Sequence, residues 1–299
     1  RGADAVLHRL VADETQASSV RKTALETLAA LQNPDLPRAS AIALDAKDAG
    51  LRNSALELLA RSGQAPAHLV PTLEKILSAG KPDEMQGAFA ILGGVKTPPA
   101  QDLLLAWLQK LRDGKVPTAA ALDLLEAARA QNDARLNDAI AAYEKSNSPV
   151  DKLAAFRETL QGGDAERGKH IALEHLAAQC TRCHKIGGEG AEVGPDLSKI
   201  AKRMNREQLL EAVVLPNATI AKGYDLIMIT LKDGKTLSGN VEKENAKELQ
   251  LREADKSLTT IAIDQIAQRT TPTSMMPAMD LMLQKRELRD LIEYLTTLK

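Results

Sequence analysis

The residues with the most specific chemistry in this chain are two cysteines and a histidine within five consecutive positions. The segment Cys180-Thr181-Arg182-Cys183-His184 has the form C-x-x-C-H, the attachment signature of a c-type haem. Two thiols at this spacing can add across the two vinyl groups of the porphyrin, and the next residue, a histidine, can bind the iron. The chain has no other cysteine, so no other thiol competes for this role. We therefore predict one covalent haem c, attached through Cys180 and Cys183, with His184 as an axial ligand.

A pair of cysteines can also belong to a zinc site or to a redox-active dithiol. A structural zinc ion needs about four Cys or His ligands. The sequence has no second C-x-x-C, and its other histidines have no finger-like spacing: His8, His68, His170 and His175. A thioredoxin-like pair would need a βαβ context, whereas the flanking residues here are typical of helix and glycine-rich loop. The remaining alternative is that C-x-x-C-H occurs here by chance, and the flanking sequence has to decide between chance and a haem site.

Length, charge and composition restrict the class of protein. The 299 residues are enough for two or three domains, and the formal net charge of -1 gives no electrostatic reason to expect a nucleic acid or an anionic membrane as partner. No apolar run approaches the roughly 18 residues that a transmembrane helix needs. Alanine and leucine dominate and only 2% of the residues are aromatic, which is typical of close-packed helices. We expect a mainly α protein without a transmembrane segment.

A short pattern recurs through the first half of the chain: an alanine with large apolar residues one and four positions later. The copies begin at Ala24, Ala55, Ala88 and Ala121, with a weaker fifth copy at Ala155, at intervals of 31 to 34 residues. The small residue allows a close approach of helices, and the large residues fill the core between them. With a second helix between successive copies, this period predicts stacked helix pairs, an α-solenoid.

The predicted array covers residues 1–161, and we interpret it as HEAT-like. A tetratricopeptide array has a similar period, but its Trp, Tyr and Pro pattern is not found here. Second helices are expected over 67–79 and 99–111, for example, with Gly and Pro breakers between the elements. Such an array can present a concave face to a partner or act as a spacer between domains. Nothing in these helices suggests catalysis.

Residues 162–299 are predicted to form a second domain around the C-x-x-C-H segment. Asp164 is a good N-cap for a helix from Ala165 to about Ala178. After the signature come a glycine-rich loop with V-G-P-D-L at 193–197 and a helix expected over 206–215.

The pattern changes again at Tyr224, where apolar and polar residues begin to alternate. Asp233-Gly234 is a strong hairpin signal, and four or five short strands are expected in a β insertion over about 224–271. The chain then closes with a helix, because its last apolar residues have helical spacing. They are Leu288, Leu291, Ile292, Leu295 and Leu298.

The run G-D-A-E-R-G-K-H-I, then C-T-R-C-H, then G-P-D-L resembles the start of a class I cytochrome c. The resemblance implies that the carbonyl oxygen of Pro195 accepts a hydrogen bond from His184 Nδ1–H. Such a bond orients the ring and makes it a more basic ligand. The resemblance also implies that Gly168 lies where the first and last helices cross, near Tyr294.

The same resemblance implies a sixth ligand to the iron near the end of the chain. In class I cytochromes this ligand is often a Met followed by Pro, so S-M-M-P at 274–277 favours Met276, with Met275 as the alternative. Thioether sulfur is soft and stabilises ferrous iron, which raises the potential. Both methionines could instead be flexible core filler, and His170 or His175 could be the sixth ligand.

Residues 162–299 as a whole resemble the haem-binding domain of large multi-domain cytochromes from planctomycete- and verrucomicrobium-type bacteria. This resemblance rests on the order of C-x-x-C-H, V-G-P-D-L, P-N-A-x-I-x-x-G-Y, the strand-rich insertion, S-M-M-P and the closing helix. It implies an electron-transfer module, not an enzyme, that relays electrons from a dehydrogenase domain or partner to another carrier. The β insertion would then shield a haem edge or bind a partner. The alternatives are a peroxidase-like haem enzyme with a labile sixth position and a haem redox sensor on a helical scaffold.

Covalent attachment of haem normally takes place outside the cytoplasm, so we expect a periplasmic or otherwise exported protein. The first residues, Arg1-Gly2-Ala3-Asp4, are not followed by the apolar core of a signal peptide. We therefore expect the chain to be a mature or excised part of a longer precursor.

Overall fold

The computed structural model describes residues 2–62, 67–146, 148, 150–253 and 255–299. The chain divides into two compact units, Arg1–Gly162 and Gly163–Lys299. Among its described residues, the regular elements of the first unit are all helices. Its α-helices are α1 (Gly2–Ala12), α2 (Ser18–Ala30), α3 (Leu36–Leu44), α4 (Ala49–Ser62), α5 (Val70–Ala79), α6 (Pro82–Gly94), α7 (Pro98–Arg112), α8 (Thr118–Gln131) and α9 (Ala134–Ser146), with 3-10 helices at Ala67–Leu69 and Ala154–Thr159.

The helices of the first unit pack as consecutive pairs. Helices α2, α4, α6 and α8 contact one another in succession, and each also contacts the odd-numbered helix before it. The recurring alanine pattern lies on the even-numbered helices and forms the core between them. Its alanines and large residues are all at most 4% exposed in the four strong copies: Ala24, Leu25, Leu28; Ala55, Leu56, Leu59; Ala88, Phe89, Leu92; Ala121, Leu122, Leu125. The predicted core positions are confirmed, while the HEAT-like kind of array stays a prediction.

The weaker fifth copy of the pattern does not form an α-helix. Residues Ala154–Thr159 form a 3-10 helix that packs against α8. The segment between Ser146 and Gly163 is too short for another pair of helices like those before it. The six-residue 3-10 helix Ala154–Thr159 stands in place of a fifth pair.

The second unit contains three α-helices among its described residues and several single 3-10 turns. The helices are α10 (Ala165–Glu174), α11 (Arg206–Val214) and α12 (Lys285–Leu295), with 3-10 turns at Cys180–Arg182, Ile200–Lys202, Ile263–Gln265 and Met279–Leu281. The side chain of Asp164 accepts the backbone N–H of Arg167 at 2.9 Å, which confirms the predicted N-cap.

Helix α10 ends four residues earlier than the sequence suggests. His175 adopts an extended conformation, and its ring Nδ1 accepts the backbone N–H of Ala178 at 3.1 Å and that of Ala177 at 3.3 Å. A side-chain acceptor thus replaces the helical carbonyl oxygens that these amides would otherwise use. The chain leaves the helix here and turns toward Cys180.

The β insertion is one antiparallel sheet. Its strands are β1 (Asp225–Leu231), β2 (Thr236–Glu244), β3 (Glu248–Arg252), β4 (Leu258–Ala262), β5 (Ile266–Arg269) and β6 (Thr273–Ser274). The order is β4-β3-β2-β1-β5, and β6 also pairs with β1. One face buries a small core, which consists of Ile227, Ile229, Leu237, Leu249, Leu251 and Ile261. Strand β6 lies beyond the predicted end of the insertion at 271, because two paired residues are too few to show an alternating pattern.

The prediction of a mainly helical chain with a small β region is confirmed. Across the described ranges, no helix has both the length and the apolar character needed to cross a membrane.

Candidate functional site

The C-x-x-C-H segment folds as one tight turn, and this turn carries the three functional side chains of the site. Cys180–Arg182 is a 3-10 helix, and the carbonyl oxygen of Cys180 accepts the N–H of Cys183 at 3.1 Å and that of His184 at 2.8 Å. Cys180 is partly buried and Cys183 is exposed. Burial raises the pKa of the Cys180 thiol to about 11, and its Sγ donates to the carbonyl oxygen of Ala178 at 3.6 Å. Cys180 is therefore a neutral thiol at neutral pH.

The imidazole of His184 is held by one backbone oxygen. Its Nδ1 lies 2.7 Å from the carbonyl oxygen of Pro195, the pairing that the resemblance to class I cytochromes implies. A carbonyl oxygen can only accept a hydrogen bond, so the proton of the neutral ring lies on Nδ1. The lone pair of Nε2 is then available, which is the form of histidine that binds a metal ion. This contact fixes both the tautomer and the orientation of the ring.

Two glycines make room for this histidine, because neither has a side chain. A Cβ on Gly194 would stand 2.5 Å from Cε1 and 2.7 Å from Nδ1 of the His184 ring. A Cβ on Gly190, whose φ is +103°, would overlap the carbonyl oxygen of His184 and lie 3.0 Å from that of Thr181. Only glycine fits at these two positions without displacing the histidine or its backbone.

Backbone hydrogen bonds connect the loop after the signature to the signature itself. The N–H groups of Ala191 and Gly194 donate to the carbonyl oxygens of Thr181 and Cys183 at 3.0 and 2.7 Å. Farther along, the N–H of Leu197 donates to the carbonyl oxygen of Lys185 at 2.9 Å, and the hydroxyl of Ser198 accepts the N–H of Gly187 at 2.8 Å. Pro195 therefore belongs to a loop whose position is set on both sides of the proline.

The two candidate methionines lie in a bend directly after β6. Met276 is partly buried, whereas Met275 is 56% exposed. The N–H of Met276 donates to Ser274 Oγ at 3.1 Å, and the N–H of Ser274 donates to Asn217 Oδ1 at 2.8 Å. Neither exposure value decides between the two, and the identity of the sixth ligand stays a prediction.

The two histidines named as other possible ligands have different partners. Nδ1 of His170 lies 2.9 Å from Oε2 of Glu174, on the exposed surface of α10. His175 uses Nδ1 to cap the end of α10, and its Nε2 lies 3.7 Å from a carboxylate oxygen of Glu287. In the part of the chain that the structure describes, no group of three or more His, Cys, Asp and Glu side chains could hold a metal ion.

These residues fit a haem c. The donor set is two thiols and an imidazole with a free Nε2, and the histidine lies in a space that a Cβ on Gly194 would fill. Large apolar side chains are exposed in the segments that flank the site: Leu176, Val193, Leu281 and Met282. Contact with an apolar porphyrin would remove such surface from water, which is favourable.

Several residues that shape the site were not assigned from the sequence. Gly190 and Gly194 belong to the glycine-rich stretch, which was visible, and the G-P pair marks Gly194 as a place of close approach. Asn217 and Ser274 belong to the motifs P-N-A-x-I-x-x-G-Y and S-M-M-P, but they are 57 residues apart, and neither motif indicates that the two residues meet. Their contact depends on how the sheet folds back.

A comparison with known families agrees with this site. The cytochrome c family model matches residues 165–228, so this part of the chain carries a cytochrome c domain. The match begins with α10, includes the signature and Pro195, and ends within β1; Met276 and α12 lie outside it. It implies a covalently bound c-type haem and supports haem-based electron transfer as the general function. No curated protein matches the chain in sequence.

Proposed function

We propose that the second unit is an electron-transfer module with one haem c, attached to Cys180 and Cys183 and ligated by His184 and Met276. The observation that carries the proposal is the 2.7 Å contact between His184 Nδ1 and the Pro195 oxygen. In the neutral ring it places the proton on Nδ1, which leaves Nε2 free to bind a metal ion, and it orients the ring through the backbone of the protein itself. A ligand held in this way needs little rearrangement when the charge on a bound metal changes.

The residues of this chain have separable roles in the proposal. When bound, the haem supplies a one-electron iron couple. The two thiols would hold the group irreversibly through thioether bonds, and the soft thioether of Met276 would favour the reduced state. With His184 and Met276 as its two protein ligands, the iron would have no open position for a substrate. The chain is therefore proposed to relay electrons and not to catalyse a reaction of its own.

The resemblance to multi-domain cytochromes extends the proposal to partners and location. Electrons would arrive from a dehydrogenase domain or a separate dehydrogenase and leave to another carrier. Covalent attachment of haem implies an exported, periplasmic protein. The paired helices of the first unit would serve as a partner-binding surface or as a spacer.

The attachment is tested by a pyridine haemochrome spectrum together with the mass of the intact protein. We expect the spectrum of a haem with both vinyl groups saturated and a mass increased by one haem. Cys180→Ala and Cys183→Ala should each shift the spectrum to that of a haem with one remaining vinyl group. A spectrum of free-vinyl haem b, or a protein without haem, would overturn the proposal.

The axial ligands are tested by comparing Met276→Ala with Met275→Ala in the haem-loaded protein. The ferric wild type should show the far-red band of methionine-ligated iron and should resist peroxide. Met276→Ala should lose the band, and Met275→Ala, one residue away in the same bend, should keep it. High-spin iron that reacts readily with peroxide in the wild type would instead identify a peroxidase-like enzyme.

A further inference from the structure

We propose that Asn217 and Ser274 position the loop that presents Met276, and that the β insertion serves as the frame for this loop. The proposal deepens the proposed function, since it rests on Met276 as the sixth ligand. It gives a role to the sheet, which lies between His184 and Met276 in the sequence. The two side chains act through the backbone of the methionine loop, so they are positioning residues.

The first support is a series of two hydrogen bonds that ends at the backbone of the candidate ligand. Asn217 Oδ1 accepts the N–H of Ser274 at 2.8 Å, and Ser274 Oγ accepts the N–H of Met276 at 3.1 Å. A backbone N–H can only donate, so the side-chain oxygen of Asn217 is the atom that faces it. Each bond restricts one peptide group on the path from the sheet to Met276.

The second support is the pairing of β6 with β1. Ser274 is paired with Asp225 and Thr273 with Leu226, and Thr273 Oγ1 also donates to the carbonyl oxygen of Leu226 at 3.4 Å. Strand β1 is itself held on both sides, by β2 and by β5. The start of the methionine loop is therefore attached to the first two residues of β1, whose other side is paired with β2 at Leu226.

Asn217 adds a second point of attachment from a different element. It lies three residues beyond the end of α11 and directly after Pro216, which is buried. The loop thus meets the end of a helix on one side and the sheet on the other. A two-residue strand alone is a weak restraint. The asparagine supplies the contact that a longer strand would otherwise provide.

The experiment measures how fast cyanide binds to the ferric, haem-loaded full chain, because cyanide can enter only when the methionine leaves the iron. Asn217→Leu and Ser274→Ala should each speed cyanide binding about fivefold, the effect expected for the net contribution of one hydrogen bond. The far-red band should weaken in parallel. The double variant should bind cyanide faster than Asn217→Leu does. Its acceleration over the wild type should be smaller than the product of the two single accelerations, since the two bonds act on the same loop.

Conservative variants at the same two positions should restore the wild-type rate of cyanide binding. Asn217→Asp keeps an acceptor oxygen, and Ser274→Thr keeps the hydroxyl, so both should bind cyanide within about twofold of the wild-type rate, as expected when the hydrogen bond is retained. If Asn217→Leu does not fold, the pair Ser274→Ala and Ser274→Thr carries the test. The control is Thr270→Val, because Thr270 Oγ1 accepts the N–H of Met228 on β1 at 2.9 Å. This bond is of the same kind but does not reach the methionine loop, and its loss should leave the rate unchanged.

The outcomes separate the two proposals. If Met276→Ala loses the far-red band while Asn217→Leu and Ser274→Ala bind cyanide at the wild-type rate, the positioning role is wrong and the ligand assignment stands. If Met276→Ala keeps the band, the ligand assignment fails and the positioning role fails with it. An equal acceleration in Thr270→Val would show a general loosening of the sheet and would also overturn the positioning role.

Discussion

Gly168 on α10 lies directly against the backbone of Asp290 on α12. A Cβ at Gly168 would overlap the carbonyl oxygen of Asp290 and stand 2.8 Å from Cβ of Tyr294, which confirms the predicted proximity of Gly168 and Tyr294. The side chain of Asp290 holds the start of α10, since it accepts the N–H of Asp164 at 2.8 Å and Nε–H of Arg167 at 2.7 Å. Because α10 leads into the attachment turn, this crossing sets the position of Cys180.

Gly168→Ala should destabilise the second unit by about 1–3 kcal/mol, since the added methyl forces apart two helices in backbone contact. The measurement is guanidinium unfolding of the haem-loaded protein, followed by the haem absorbance. Gly94→Ala is the control, because a Cβ there meets nothing within 4 Å. An unchanged midpoint for Gly168→Ala would show that the crossing is not close-packed in solution.

Gly194→Ala should disturb the ligand and leave most of the fold intact. The new Cβ would press on Cε1 and Nδ1 of His184, and relief of that overlap has to come from rotation of the ring away from Pro195. We expect a lower yield of haem-loaded protein and a shifted reduction potential, with an overpacking cost of about 1–3 kcal/mol. Pro195→Ala keeps the carbonyl oxygen and should retain the wild-type spectrum. A wild-type potential in Gly194→Ala would contradict the predicted role of this space.

Features that depend on neighbouring residues could be predicted from the sequence. The recurring alanine pattern identified the core of the first unit, because residues one turn apart lie on the same helix face. Asp164 was identified as an N-cap, and Asp233-Gly234 as the turn between β1 and β2, for equally local reasons. The attachment turn at Cys180 is also local.

Features that depend on distant partners could not be predicted. Helix α10 stops at Glu174 because the ring of His175 caps the next amides, a choice of rotamer that no periodicity reveals. The contact of Asn217 with Ser274 needs the sheet to fold first. The same holds for the buried polar groups of the first unit, whose partners lie more than thirty residues away.

Gln131 is one of these buried groups, and its removal should be costly. It is 4% exposed, and its Nε2 donates to the carbonyl oxygens of Leu92 at 2.5 Å and Val95 at 3.1 Å, at the end of α6. Gln131→Leu leaves these buried oxygens without this donor, which should cost about 1–3 kcal/mol. The change can be followed by the fluorescence of Trp107, the only tryptophan in the chain, which is buried in the first unit. Gln109→Leu, at an exposed position, should change stability by less than about 0.5 kcal/mol, and equal losses in the two variants would contradict the prediction.

The stability of the first unit should fall in acid because of one buried ion pair. The Glu84 carboxylate is 4% exposed and accepts Nη2–H and Nε–H of Arg52 at 2.7 and 3.2 Å. Hydrogen bonding to Arg52 lowers the pKa of Glu84 below its ordinary value of 4.5. A group whose pKa is lowered by folding stabilises the protein above its ordinary pKa, and this contribution is lost as the pH falls through the lowered value.

Glu84→Gln should therefore cost about 2–4 kcal/mol at neutral pH, because it removes the carboxylate bonded to the partly buried Arg52 and leaves that guanidinium only the smaller attraction of Asp48. The difference from the wild type should narrow as the pH falls below about 4.5, because the carboxylate of the unfolded chain then takes up a proton, while the folded one keeps its charge until the pH reaches its lowered pKa. Guanidinium unfolding followed by Trp107 fluorescence at a series of pH values measures both effects. The control is Glu57→Gln, whose carboxylate lies 3.7 Å from Arg61 on the exposed surface of α4 and should contribute less than about 1 kcal/mol at any pH. A gap between Glu84→Gln and wild type that stays constant from neutral to acid pH would show that the charge of Glu84 does not contribute to stability.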